Sequence, residues 1–347
     1  MAMLRLQRRG FDLGASPGDI HTDRDPDSNW QNGLPLRIKG ICCKSIESCL
    51  DSISTTEKFV LKILDGHSSD EILPFEPYSI SLKQRFNLVG STYNEGDDQE
   101  IETIMFDRIH DGDVIAEDLW MKVSWLSFYE EDASLRFRFS FGIDLVEEVS
   151  ADTVRQQASA ELAEAIFPES QIITQNEALI ESIQSLLNGK KPMFVERILY
   201  FNGPEGGAYL HHDLERGHAG VVYAQVTGST CWLALPKSAL VTEIKEFLKE
   251  DKLPESLNEE HKRSLDKIAQ DPILISDALD SFNHDGLIHL INETKEFVQG
   301  LISKGYYRIL HPGDVILLSQ SARDMCCWHS VFCLGEEMGQ ALSFAIR

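Results

Sequence analysis

A succession of short apolar segments in the carboxyl-terminal half constrains the fold of this chain more than any other feature. These segments lie at 194–201, 221–235, 306–310, 315–318 and 331–333, with turn-forming residues between them. Short apolar runs separated by turn signals are typical of strands in a sheet that is buried on at least one face. The series therefore predicts a β-sandwich or a β-barrel.

One long segment with helical periodicity interrupts this series. Within residues 238–304, the apolar side chains of Leu287, Leu290, Val298 and Leu301 fall on one face of a helix, and charged residues are frequent. We interpret this segment as an insertion between two barrel strands. Residues 191–347 are therefore predicted to form one barrel unit with a helical insertion at 238–304.

The residues before the barrel predict an α/β region. At 347 residues the chain is long enough for two structural units or for one domain with a large insertion. Residues 121–128 and 135–141 alternate apolar with polar side chains, as two paired strands do. Residues 36–190 are assigned to this amino-terminal region. Residues 1–35 are rich in Asp, Gly, Pro and Arg without periodicity, and they predict a flexible arm.

Two helices are predicted at the end of the amino-terminal region. Apolar residues recur every four positions between 150 and 168, which is a helical pattern. A second helix is predicted to open with a capping box at 174–177, where Thr174 is followed three residues later by Glu177. Asn188 and Gly189 are predicted to end it.

The charge of the chain argues against two classes of binding partner, nucleic acid and membrane lipid. With 32 Lys+Arg against 56 Asp+Glu the formal net charge is −24, which repels nucleic-acid phosphates and anionic lipid, so we expect neither partner.

No apolar run follows the basic start as in a signal peptide, and none reaches the ~18 residues of a membrane span. The seven cysteines are odd in number and lack C-x-x-C spacing. Reduced thiols in the cytoplasm are the simplest interpretation.

The pair His211 and Asp213 carries the strongest chemical signal. On an extended strand, side chains two residues apart point to the same face, so both can reach one metal ion at ~2.1 Å. Gly206 and Gly207 just before them allow a close approach of the chain. His329, beside Trp328 in a late apolar run, is the natural third ligand. Two histidines and one carboxylate leave open positions on Fe(II), although the H-x-D spacing alone also fits a structural His–Asp pair.

Three segments around and after this motif carry a resemblance. Residues 221–236 read VVYAQVTGSTCWLALP, residues 311–318 read HPGDVILL, and residues 327–331 read CWHSV. With the H-x-D turn, this order resembles the JmjC-like and cupin-type 2-oxoglutarate oxygenases over roughly residues 194–347. The resemblance implies a mainly β protein with α elements, built on a double-stranded β-helix (a cupin or jelly-roll barrel).

The resemblance also implies an activity and its cofactors. His211, Asp213 and His329 would bind Fe(II), and 2-oxoglutarate would be the co-substrate. The chain would then be a non-haem iron dioxygenase that uses O₂ to hydroxylate an unactivated C–H bond.

The co-substrate pocket departs from the family at two positions. Relatives commonly have Lys where this chain has Thr230, and Thr where it has Ala208. A cation must therefore bind the distal carboxylate of 2-oxoglutarate from another strand. Arg347 is the first candidate, because other branches of the superfamily use an Arg on the last barrel strand. Lys237 and Arg197 are its alternatives.

Polar side chains are expected to complete that pocket. Thr230 offers a hydroxyl group, and Tyr200 and Tyr209 are expected to line the cavity, although barrel cores also hold aromatic residues for packing alone. His212 alternates to the opposite face and is expected to be structural.

Two other functions stay open. The chain could be a metal-dependent cupin oxygenase that does not use 2-oxoglutarate, which Thr230 makes credible. It could also be a non-catalytic metal-binding cupin module, against which the three intact ligands count. The substrate is expected to be a peptide or protein side chain or an amino-acid-like small molecule, and the acidic surface suits a basic one. The amino-terminal region and the insertion either shape specificity or form a homodimer interface.

Overall fold

Seven strands precede the predicted barrel in the computed structural model of the chain. The structure describes residues 5–8, 11–15, 26–93, 100–125, 134–142, 152–204, 206–214, 218–249, 253–320, 322–324 and 326–347. The seven strands are β1 (Arg5–Arg8), β2 (Phe11–Ala15), β3 (Leu36–Ile38), β4 (Phe86–Tyr93), β5 (Glu100–His110), β6 (Asp113–Trp125) and β7 (Leu135–Phe141). β1 and β2 pair antiparallel within the segment for which the sequence predicts an arm. β6 and β7 pair as predicted, and residues 126–133 between them lie outside the described residues.

Eight strands in the carboxyl-terminal half form the two facing sheets of a double-stranded β-helix. They are β8 (Phe194–Asn202), β9 (Gly207–His211), β10 (Gly220–Gln225), β11 (Ser229–Pro236), β12 (Tyr307–Leu310), β13 (Val315–Ser319), β14 (Cys327–Leu334) and β15 (Gly339–Ile346). One sheet has the order β13-β10-β15-β8, and the facing sheet has the order β12-β11-β14-β9. Consecutive strands alternate between the two sheets, except that β11 and β12 are neighbours in the same sheet, and this arrangement is the jelly-roll topology. The predicted fold class is confirmed.

The first barrel sheet continues beyond the barrel on both edges. β3 pairs with β13, and β7, β6, β5 and β4 follow β8 in that order, so that nine strands form one sheet. β8 is therefore a central strand, with β15 on one side and β7 on the other. The amino-terminal strands thus extend a wall of the barrel.

Helices of the amino-terminal region cover one face of this long sheet. They are α1 (Pro26–Gln31), α2 (Cys43–Ser48), α3 (Leu50–Leu64), α4 (Ser69–Ile72), α5 (Tyr78–Leu82), α6 (Thr153–Ile166), a 3₁₀ turn (Pro168–Ser170), α7 (Gln171–Thr174) and α8 (Glu177–Leu186). The predicted capping box of the second helix is wrong, because α8 begins at Glu177 and the side chain of Asn176 caps it by accepting from the Leu179 N–H. Asn188 and Gly189 follow the end of α8 in left-handed conformations, as predicted.

Aromatic residues fill the layer between these helices and the sheet. Phe137 of β7 makes edge-to-face contacts with Phe59, Phe167 and Phe201, with ring centroids 5.7, 5.3 and 5.9 Å apart. All four are fully buried. Burying one Phe contributes roughly 1.5–3 kcal/mol, so this contact fixes which face of β7 points to the helices.

The helical insertion covers the outer face of the four-stranded sheet. It consists of α9 (Lys237–Phe247), α10 (Glu259–Asp266), α11 (Pro272–Ser281), α12 (Asp285–Glu293) and α13 (Lys295–Ser303), between β11 and β12 as predicted. Buried side chains such as Leu233, Leu287 and Trp328 form its core with the sheet, and Leu13 of β2 joins them. Within the described parts of the chain, no helix has both the length and the apolar character needed to cross a membrane.

Candidate metal centre

The pairing of β9 with β14 brings the two predicted histidine ligands together. His211, the last residue of β9, lies directly opposite His329 of β14 in the antiparallel register. Their rings lie 4.3 Å apart between centroids. β9 can approach β14 this closely because Gly207 has no side chain, since a Cβ there would lie 1.9 Å from the Val331 carbonyl oxygen. The strand register therefore positions the histidine pair.

Asp213, just after β9, completes a cluster of three potential ligands. Its Oδ1 atom lies 3.7 Å from the Nε2 atom of His211, and its Oδ2 atom lies 3.5 Å from the Nε2 atom of His329. One ligand atom from each residue lies within 4.8 Å of the others. Among the residues described, this is the cluster of His, Cys, Asp or Glu side chains that meets the distance requirement for a metal site.

Main-chain carbonyls fix the orientation of both imidazole rings. The Nδ1 atom of His211 lies 2.6 Å from the carbonyl oxygen of Tyr209, and that of His329 lies 3.2 Å from the carbonyl oxygen of Cys327. Because a carbonyl only accepts hydrogen bonds, Nδ1 carries the proton in both rings. The lone pair of each Nε2 is then available for a metal, which is the usual arrangement of histidine ligands.

Electrostatics at the cluster favour the ligand forms of the side chains. Burial, followed by the charge of His211, lowers the pKa of His329 to about 4, so its ring is neutral at pH 7. Burial alone would raise the pKa of the Asp213 carboxyl, but the surrounding histidines, first among them His329, outweigh burial and hold that pKa below its usual range. Neutral imidazole and ionised carboxylate are the forms that bind a divalent cation.

These donors fit a non-haem Fe(II) ion. Two imidazole nitrogens and one carboxylate oxygen are the donor set of the facial triad, which leaves coordination positions for O₂ and a second ligand. A structural zinc site would instead be closed by a fourth protein ligand. Among the described residues no fourth side chain of these types joins the cluster.

A cavity of about 510 Å³ opens beside the cluster. Side chains of β7, β8, β10, β11 and β15 line it together with the three ligands. Trp232 of β11 stacks on the His329 ring with 5.4 Å between centroids and 25° between planes, and Tyr223 of β10 packs edge-on against Trp232 at 4.6 Å. The two aromatic rings fill the barrel interior behind His329 and orient its imidazole.

The structure distributes the other predicted pocket residues differently. Tyr200 lines the cavity. Tyr209 does not, and its hydroxyl donates a hydrogen bond to the Glu293 carboxylate on the insertion side of β9. Thr230 is buried, where its hydroxyl donates to the Gln225 side chain at 2.7 Å and accepts from the Trp232 indole N–H at 3.1 Å. Thr230 therefore supports Trp232 and does not reach the cavity.

The three predicted cations lie outside the cavity lining. The main chain of Arg347 exchanges two hydrogen bonds of 3.0 Å with Met193 at the end of the sheet. Lys237 is buried and forms an ion pair of 2.7 Å with Asp280. Arg197 forms an ion pair of 3.0 Å with Glu164.

Two arginines that sequence reasoning did not single out do line the cavity. Arg136 and Arg138 lie on β7 opposite Tyr200 and Ile198 of β8, which line the cavity as well. Arg138 forms an ion pair with Glu196. The available signal was the alternation in LRFRFSF at 135–141, where both arginines fall on the face opposite the phenylalanines.

A second cavity, of about 280 Å³, lies on the other side of His211. It is predominantly apolar and is formed by β9, α11 and α12. Phe282 borders both cavities, stacks on Trp328 at 5.2 Å, and has a left-handed backbone with φ of 47°. A bulky residue in this conformation costs about 1–2 kcal/mol, which the packing against Trp328 offsets.

Similarity to known proteins is found among solved structures. No protein-family model and no curated protein matches the chain. Similar solved structures include three of YcfD from Escherichia coli, two of them described as a ribosomal oxygenase, with identities of 10, 12 and 13% over 79 to 81% of this chain and TM-scores of 0.25 to 0.26. The chain spans less than half of YcfD, 44 to 45% of its length.

Another similar structure is an oxidoreductase of the 2OG-Fe(II) oxygenase family from Burkholderia pseudomallei. Its identity is 7%, its TM-score is 0.31, and the match covers 100% of this chain and 95% of that one. The chemistry that this chain can perform follows from the geometry of its own site.

Proposed function

We propose that this protein is an Fe(II)- and 2-oxoglutarate-dependent oxygenase that hydroxylates an unactivated C–H bond. The observation that carries the proposal is the arrangement of His211, Asp213 and His329, whose two Nε2 atoms and carboxylate converge at the edge of an open cavity. A donor set that binds one face of the metal suits a reaction in which O₂ and a co-substrate must bind at the same time.

Each residue has a defined part in the proposal. His211 and His329 would each offer Nε2 to the metal while the main-chain carbonyls of Tyr209 and Cys327 hold their Nδ1 protons. Asp213 would offer a carboxylate oxygen between them. Trp232 and Tyr223 keep water from the buried side of His329. When bound, Fe(II) supplies the positions at which O₂ is activated.

A metal-dependent oxygenase that does not use 2-oxoglutarate is the second candidate. It is favoured by Thr230, which is neutral and fully engaged with Gln225 and Trp232 at the position where relatives commonly have Lys. A non-catalytic metal-binding module is less well supported, because the three ligands border an open cavity of about 510 Å³ that leaves room for a substrate.

The proposed substrate is a peptide side chain or an amino-acid-like small molecule. The apolar cavity beside His211 supports a substrate with an apolar group, since such a group would lie next to the metal ligands. A reducing cytoplasm is the proposed compartment, and it suits seven cysteines that are all free.

Anaerobic spectroscopy followed by product analysis tests the proposal. Addition of 2-oxoglutarate to the Fe(II)-loaded protein should produce a weak visible charge-transfer band, and admission of O₂ should then yield succinate. His211→Ala should give neither result. Iron binding without a band and without succinate would refute the dependence on 2-oxoglutarate and favour the second candidate.

A further inference from the structure

We infer that Arg136, on a strand outside the eight barrel strands, is the carboxylate-binding residue of the metal cavity. Under the proposed function its ligand is the distal carboxylate of 2-oxoglutarate, and the inference rests on that proposal for the identity of the ligand. The placement of Arg136 rests on the contacts of β7 alone.

The packing of β7 directs Arg136 into the cavity. Phe137 and Phe139 of this strand are buried against the helices, so the alternating residues Arg136 and Arg138 point to the opposite face of the sheet. Arg136 lies opposite Tyr200 of β8, and side chains of directly opposite residues are neighbours in an antiparallel pair. The phenylalanine contacts therefore fix the direction of the arginine.

Among the residues that the structure describes, the charges in the cavity leave Arg136 without an acidic partner. Four Arg, Asp or Glu side chains of the described residues line the cavity, and Arg136 is one of them. The other three have charged neighbours or ligand partners, since Arg138 forms an ion pair with Glu196 and Asp213 lies between the two histidine ligands. To the described residues, the Arg136 side chain makes one hydrogen bond, from Nε to the Ser124 hydroxyl at 3.0 Å. Within the described ranges, no carboxylate forms an ion pair with its guanidinium group. A half-buried cation without a counterion is suited to bind an anion.

Two buried polar atoms show independently that the cavity is built for a polar ligand. The side chains of Asn202 and His218 line it and are 1% and 4% exposed. The Oδ1 atom of Asn202 and the Nδ1 atom of His218 have no hydrogen-bond partner among the described residues. Buried polar atoms without a partner cost roughly 1–3 kcal/mol each, so a ligand that bonds to them is favoured. Asn202 is two residues beyond Tyr200 on β8, toward the Arg136 end of the cavity.

Tyr200 connects the arginine to the metal ligands. Burial raises the pKa of Tyr200, while the positive charge of Arg136 acts to lower it and the negative charge of Asp213 acts to raise it. Both charges therefore act on the same hydroxyl group. A dicarboxylate with one end beside Asp213 would run along Tyr200 toward Arg136.

The affinities of dicarboxylates and monocarboxylates test the inference. Calorimetry on the Mn(II)-loaded protein would compare 2-oxoglutarate with 2-oxobutyrate, which lacks the distal carboxylate. The wild type should prefer 2-oxoglutarate by about tenfold or more, as expected for a charge-assisted pair. Arg136→Gln should lose this preference while its affinities for 2-oxobutyrate and for Mn(II) stay nearly unchanged. A variant that merely distorted the fold would weaken the binding of both acids.

Two control variants make the comparison specific. Arg323→Gln removes an arginine that is 71% exposed and is not part of the cavity lining, and it should keep the wild-type preference. Arg347→Gln should also keep it. A preference that survives in Arg136→Gln, or that disappears in Arg347→Gln, would overturn the inference.

A further pair of ligands separates this inference from the proposed function. Succinate and butyrate, added to the metal-free protein, report the carboxylate site without any 2-oxo group. A preference for succinate that Arg136→Gln abolishes would support the inference even if no visible band forms with iron. A wild-type protein with no preference in either pair would overturn it.

Discussion

Substitution of Gly207 by Ala should damage both the barrel and the metal centre. A Cβ at this position would lie 1.9 Å from the Val331 carbonyl oxygen and 2.8 Å from the Cα of Phe332, whereas ordinary contacts begin at 3.4 Å. β9 would have to move away from β14 by about 1.5 Å, the difference between 3.4 and 1.9 Å. Overpacking of this kind costs about 1–3 kcal/mol of unfolding free energy, and a backbone contact is less able to adjust than a side chain.

The same displacement would move one ligand away from the other. His211 lies four residues after Gly207 on the same short strand and opposite His329, so a shift of β9 separates the two imidazoles. We expect metal affinity to fall by about 10–100-fold, comparable to the loss of a group that orients a ligand.

Urea unfolding and anaerobic Fe(II) titration would measure the two effects. Gly300→Ala is the matched control, because it lies within helix α13 and a Cβ there has no neighbour within 4 Å. That variant should be unchanged or more stable by about 0.5–1 kcal/mol, with unchanged metal affinity. Wild-type stability and affinity in Gly207→Ala would refute the role of the close approach between β9 and β14.

Two further predictions concern thiols and a buried acid. Without reductant, all seven cysteines should react with an alkylating reagent after denaturation. In the native protein only the accessible Cys43 and Cys49 should react quickly. Fewer than seven reactive thiols after denaturation would indicate a disulfide and contradict the prediction. Glu169 is fully buried, and burial raises its pKa against the hydrogen bonds from Ser52, Thr56 and Gln340. The protonated Glu169 carboxyl therefore stabilises the folded state below pH 4.5, its ordinary pKa. This contribution is lost as the pH rises through the raised pKa of the folded protein. The unfolding free energy of Glu169→Gln relative to the wild type should increase from pH 4.5 to 7.5 in urea titrations, and a difference independent of pH would contradict this.

The barrel strands were predictable because their signals are local. Short apolar runs between turn residues indicated β8 and, with β10 and β11 in a single run, the strands from β10 to β14, and helical periodicity over 238–304 matched the insertion between β11 and β12. His211 and Asp213 are close in sequence, so alternation along a strand was enough to suggest that they share a ligand. His329 was a candidate from its place in a late apolar run, but its register opposite His211 was not predictable, because it depends on pairing between distant strands.

The cavity wall was not predictable, because it depends on which strand lies beside β8. The alternation in β7 indicated an apolar and a polar face, and a polar face of an antiparallel strand usually points to solvent. Here the polar face of β7 adjoins the cavity, since β7 pairs with β8 at the edge of the barrel. Both Tyr200 and Tyr209 were expected to line this cavity, but Tyr209 lies on the insertion side of β9 and does not.

Net charge was also a poor guide to the site. The chain carries a formal charge of −24, which suggested a basic substrate, whereas the four Arg, Asp and Glu side chains that line the cavity, Arg136, Arg138, Glu196 and Asp213, balance one another in formal charge. A total charge reports the average over the surface, while a cavity of 510 Å³ is determined by a few side chains.

The stoichiometry of Fe(II) binding tests the metal centre most directly. Anaerobic calorimetric titration of the metal-free wild type should give one Fe(II) per chain, and His211→Ala, Asp213→Ala and His329→Ala should each abolish the binding. His212→Ala is the matched control, because His212 adjoins His211 in sequence but uses its Nδ1 to accept a hydrogen bond from the Leu214 N–H at 3.2 Å; it should keep one Fe(II) per chain. A full complement of iron in any of the three ligand variants would contradict the assignment of the site.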